Sequence, residues 1–142
     1  MKKKKLEAEY TYDFELIGIT SAVRPHKIAW ELNRALDIKL SRKEDLILQF
    51  KSGDEKSYIM LEYETPLSII KLFRNKPNEI PSNPSKHCLV IEYPHFDYIL
   101  LIKSIENDFG NNLTDSLKKI ACIEYVGSLS LNAIKAKENF IF

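Results

Sequence analysis

Residues 88–103 read CLVIEYPHFDYILLIK, and the division of this stretch into turn and strand decides the fold. Ile99, Leu100, Leu101 and Ile102 form an apolar run without the alternation of a half-wetted strand, so they are expected in a central strand covered on both faces. Pro94 brings no N–H to a ladder. The chain before Phe96 is therefore expected to be an edge, a bulge or a tight connection feeding that strand.

Upstream, the alternation of Tyr10, Tyr12, Phe14 and Leu16 with Thr11, Asp13 and Glu15, joined by Ile17 and Ile19, predicts a first strand over 10–19. Residues 24–36 predict the clearest helix, with Pro25 in its first turn and an inward stripe of Ile28, Leu32, Ala35 and Leu36. At 100° per residue Trp30 falls opposite that stripe, in company with His26, Asn33, Arg34 and Asp37. A tryptophan there is expected to be covered by another segment of the chain or by a partner. Residues 37–43 read as a connection. Residues 46–50 and 57–65 read as two strands joined by the turn residues 52–55, the second with Ile59, Leu61 and Tyr63 on one face and Tyr58 and Met60 on the other. Pro66 ends the pair, and 68–73 predicts a fourth strand. Residues 74–87, RNKPNEIPSNPSKH, read as an exposed, mobile loop.

Downstream, 108–112 is a loop with cap residues, and 113–121 predicts a short helix whose inward side is Leu113, Leu117, Ile120 and Ala121. Residues 123–129 predict a last strand, and 131–137 one or two helical turns. Phe140, Ile141 and Phe142 are expected to dock on the domain or on a neighbouring molecule. The fold class is thus α+β: a mostly antiparallel sheet of five to six strands with two main helices packed on one face. An elaborated ferredoxin-like sandwich is one such arrangement. Residues 1–8, with Lys2 to Lys5, read as a flexible basic tail, and 9–142 as a single domain.

The 142-residue length suits one domain with its own core, and a net charge of +1 supplies no global field for nucleic acid or acidic ligands. The start lacks the apolar region of a secretory signal, and no stretch has the length of a membrane span, so a cytoplasmic protein without membrane attachment is expected. Cys88 and Cys122 are expected as buried thiols rather than a disulfide. Four isolated glycines build neither a P-loop nor a dinucleotide-binding cluster. His87 and Cys88 are neighbours whose side chains point apart on an extended chain, so no metal and no cofactor is expected.

Residues 90–98, Val-Ile-Glu-Tyr-Pro-His-Phe-Asp-Tyr, resemble the signature of the IPExxxVDY family, an uncharacterised bacterial group. Glu92, Asp97 and Tyr98 stand on the Glu, Asp and Tyr of that motif, Val90 for its Ile and Phe96 for its Val, while Ile91 replaces its Pro. Residues 14–19, 30–33 with 35–36, 75–76 and 137–142 resemble the same family in the same order. The resemblance implies a shared fold and carries no known activity, so no catalytic residue is transferred.

Three functions stay open. The first is a non-catalytic module binding a protein partner or itself through His26, Trp30, Asn33, Arg34, Phe140 and Phe142. The second is an RNA-associated accessory protein using Lys2 to Lys5, Arg24, Lys27 and Arg34. The third is a small-molecule enzyme or sensor in which Glu92 or Asp97 orients His95, with Tyr93 and Tyr98 beside them. Against the third stands a structural reading, in which Asp97 satisfies backbone N–H groups and Tyr98 packs its ring with the hydroxyl at the rim.

Overall fold

The apolar run 99–102 lies in β7 (Tyr98–Ser104), an interior strand flanked by β6 (Ser68–Arg74) and β1 (Glu15–Thr20). All four of its side chains are buried, and each is worth roughly 1.5–3 kcal/mol on leaving water. The computed structural model describes residues 14–49, 53, 55–78, 88–90, 92–104 and 113–129. The remaining elements are α1 (Pro25–Leu36), β2 (Ser41–Arg42), β3 (Leu46–Gln49), β4 (Glu55–Tyr58), β5 (Met60–Glu64), α2 (Leu113–Lys118) and β8 (Tyr125–Leu129). The expectations for 1–13, for the proline-rich stretch 79–87, and for 131–142 with Phe140 and Phe142 lie outside the described residues.

Six strands form one sheet in the order β2-β5-β6-β7-β1-β8, and every ladder in it is antiparallel. The α+β class and the helices on one face are as expected. The elaborated ferredoxin-like arrangement is present: β8-β1-β7-β6 is its 4-1-3-2 order, in which β1–α1–β6 and β7–α2–β8 are split βαβ units, each with one antiparallel strand inserted, and β5 and β2 extend the β6 edge. Both helices cover the same face: Ile28, Ala29 and Leu32 from α1 and Leu113 and Leu117 from α2 pack with Ile17, Ile19, Ile70, Leu72, Leu100 and Ile102. The opposite face carries a second core, in which Leu16, Phe73, Ile99 and Leu101 meet Tyr58 of β4 and Leu89, Val90 and Phe96 of the turn segment.

Four expectations are corrected. The third predicted strand is two: after Ile59 the chain leaves the two-stranded β3–β4 sheet and enters the large one as β5. Its alternation survives the change of sheet, with Ile59, Leu61 and Tyr63 toward the helix-side core and Tyr58 and Met60 toward the other. Residues 41–42, read as connection, form the short edge strand β2. In α1 the third buried position is Ala29, while Ala35 is exposed; Ala121, past the end of α2, is exposed too. Finally, the start of the 74–87 segment is no exposed loop, since Asn75 and Pro77 are buried.

Candidate functional site

Two regions hold the candidate residues. The first is the corner where β1 ends, β6 ends and the turn over 92–97 enters β7. Here Asp97 is fixed at every polar group: its N–H donates to the Ile19 carbonyl (2.9 Å) and its carbonyl accepts from the Asn75 N–H (2.9 Å). Its carboxylate accepts from the Ser21 N–H through Oδ2 (2.9 Å) and stands 3.5 Å from Lys76 Nζ through Oδ1. The carboxylate thus closes the bend after β1, where the chain turns toward α1. Tyr98, beside it, buries its ring and donates its hydroxyl to the Val23 carbonyl. Burial, with lesser contributions from Asp97 and Cys122 and against the pull of Arg74, pushes its phenol up to about 12.

Asn75 is the residue on which the corner depends, and sequence reasoning missed its role. It is 0% exposed. Its Nδ2 donates to the carbonyls of Tyr93 (3.1 Å) and Phe96 (2.9 Å), and its Oδ1 accepts from the Val90 N–H (2.8 Å). Its own carbonyl accepts from the Leu89 N–H (2.7 Å). One amide therefore holds the Pro94 turn against the end of β6, satisfying backbone groups that strand ladders cannot reach.

The same turn lays the Phe96 ring on a platform without side chains. Gly18 and Gly127 are cross-strand neighbours in β1 and β8. A Cβ on Gly18 would overlap the Phe96 ring, and one on Gly127 would stand 3.2 Å from its Cζ. Tyr125 stacks on Phe96 from the edge strand (centroids 5.9 Å, 11° between planes), and the exposed His95 ring lies 4.3 Å from Phe96. His95 is thus beside an aromatic stack and not paired with Asp97, whose oxygens face Ser21 and Lys76. Glu92 is half-buried in the turn.

The second region is the outer face of α1. Trp30 is 52% exposed. Lys27 Nζ stands 5.0 Å and the Arg34 guanidinium 4.9 Å from its ring centroid, the range of cation–π contact. Both cations also pair with Glu31, at 3.3 and 3.1 Å. His26 is exposed on the first turn. Asn33 does not belong to this surface: its amide exchanges hydrogen bonds with the Leu40 backbone (Leu40 N–H to Oδ1, 2.8 Å; Nδ2 to Leu40 O, 3.3 Å) and fixes the link from α1 to β2. That correction has a local cause. Asp37 ends α1 in the left-handed region (φ 55°) and bends the chain back along the face Asn33 occupies.

Next to Arg34 a groove of about 580 Å³ opens between α1 and α2, lined by Glu31, Ala35, Ser116, Lys119, Ile120 and Ala121. Cys88 and Cys122 form no disulfide; Cys88 is buried, and burial raises its thiol pKa, as for a core thiol. Lys71 of β6 is buried as well, and burial holds its pKa below the ordinary lysine value while Glu62 and Glu64 pull the other way. Among the described residues no helix is long and apolar enough to cross a membrane. In comparisons with known proteins, no family model matches the chain and no curated protein matches it.

Proposed function

We propose that the protein is a non-catalytic interaction module that binds a protein partner through the outer face of α1, with Trp30 as its anchor. The observation that carries this reading is the state of Trp30: half its surface is in water on a helix whose other face is buried. Exposed tryptophans flanked by arginine are the residue types that dominate binding energy at protein interfaces. Lys27, Arg34 and Glu31 restrict the ring's surroundings in advance, which lowers the ordering cost of association.

The alternatives draw less support. An enzyme or sensor at His95 and Asp97 needs groups free to act, whereas the Asp97 carboxylate and Tyr98 hydroxyl each hold a backbone group in place. An RNA-associated role gains no support from the near-balanced charge of the chain, +1 overall. The resemblance to the IPExxxVDY signature fits this reading, since its Asp97 and Tyr98 positions are explained by holding the bend between β1 and α1.

The test is affinity capture from cell lysate with the full chain and with Trp30→Ala, in parallel with nuclease treatment. Loss of a nuclease-resistant partner in the variant supports the reading. An unchanged set of partners sinks the Trp30 site, and captures that vanish only with nuclease move the reading to RNA.

A further inference from the structure

The groove between α1 and α2 gives the Trp30 face a chemical preference. On the α1 helix Arg34 and Glu31 lie on the side of Trp30 that faces α2, and both residues line the groove. Glu31 already shares its charge between Lys27 and Arg34, so it presents little uncompensated negative charge to a ligand. Lys119, on the α2 side, makes no ion pair with a described residue. The groove therefore carries surplus positive charge at its rim. Its lining is mixed, with Ser116 and the charged rim beside a small apolar patch of Ile120, Ala35 and Ala121. Among the described residues no aromatic side chain lines it, so a nucleobase would find nothing inside to stack on, whereas an aliphatic side chain can lie against that patch.

We propose that this groove takes an acidic segment of a partner protein, with carboxylates on Arg34 and Lys119 and one aliphatic side chain between Ala35 and Ala121. The proposal rests on Trp30 being a protein-binding face and adds the charge and shape of what binds there.

The full chain is panned against a displayed library of random linear peptides, and selected peptides are titrated by the emission of Trp30, the chain's single tryptophan. Binders lost on Trp30→Ala are expected to be rich in Asp and Glu around a Leu or Ile. Their Kd should rise about tenfold on Lys119→Glu, a substitution outside the Glu31 pairs, and rise further with salt. Neutral or basic Trp30-dependent binders, or acidic ones indifferent to both Lys119→Glu and Arg34→Glu, overturn the acidic-segment proposal while leaving the binding face intact. Displacement of the peptides by a tighter-binding single-stranded oligonucleotide overturns it in favour of nucleic acid. Failure to select any binder sensitive to Trp30→Ala overturns the binding face itself.

Discussion

The turn corner and the outer face of α1 differ in a way that inverts first expectations. The corner concentrates residues of chemical capability, a histidine, carboxylates and tyrosines, and there the Asp97 carboxylate and the Tyr98 hydroxyl hold the backbone in place. The helix face carries His26, a tryptophan and charges, and it leaves apolar surface in water. The lesson is to ask where each side chain's bonds go before asking what the residue type could do. The most direct way to break the comparison is Asn75→Ala. It leaves the Val90 N–H and the Phe96 carbonyl without their partner, while the Tyr93 carbonyl keeps the Phe96 N–H. With each buried orphan costing ~1–3 kcal/mol, a loss of at least about 2 kcal/mol is expected in urea unfolding. A loss below about 1 kcal/mol would mean that the corner is not the rigid frame described above.

What the sequence made legible follows the same division. β7, α1 and the place of Trp30 opposite the core stripe were readable because apolar periodicity reports which face meets the core. Cover of Trp30 by another segment of the chain was also expected, and the ring is 52% exposed instead. The split of the predicted third strand at Ile59 was hidden, because residues on both sides keep one alternation while the partner strand changes from β3 to β6. Asn75 was hidden for a different reason. Its side chain bonds to backbone 15, 18 and 21 residues away, and contacts of that kind leave no local pattern. Asn33 was misread by the helical wheel, which places residues around an axis but does not show the chain returning at Leu40.

A second test sharpens the account of the corner by adding atoms instead of removing them. Gly18→Ala pushes a methyl group into the Phe96 ring, and overpacking of this kind costs about 1–3 kcal/mol. Combining it with Phe96→Leu should cost less than the sum of the two single changes, because the smaller side chain gives the methyl room. Strict additivity in the double-mutant cycle would show that Phe96 does not rest on Gly18.

Tyr98→Phe tests the corner with a smaller change. Losing the hydrogen bond to the Val23 carbonyl is expected to cost ~1 kcal/mol near neutral pH. The folded phenol titrates at about 12 against an ordinary value of 10.0, so it is raised. A raised pKa means that its contribution is fully present below pH 10 and is lost as pH climbs toward about 12, because the unfolded chain ionises first. The advantage of wild type over Tyr98→Phe should therefore shrink across that window. Tyr58, raised by burial in the second core, keeps some alkaline sensitivity in both proteins. A gap that stays constant from pH 9 to pH 12 would contradict the buried, hydrogen-bonded phenol.

The smallest expected change in stability belongs to Trp30→Ala, and its smallness is what gives the comparison its meaning. Removing the indole forfeits contacts with Lys27 and Arg34 that are worth about 0.5–1 kcal/mol at an exposed site. The Glu31 pairs with both cations do not require the ring, and alanine is the better helix former by a few tenths of a kcal/mol. These effects oppose one another, so urea midpoints should agree to within ~0.5 kcal/mol. Under the proposed binding role the same substitution is expected to act on capture and not on unfolding. A destabilisation of ~2 kcal/mol or more would place Trp30 with Asn75 among the structural residues, and the distinction between the two regions would fall with it.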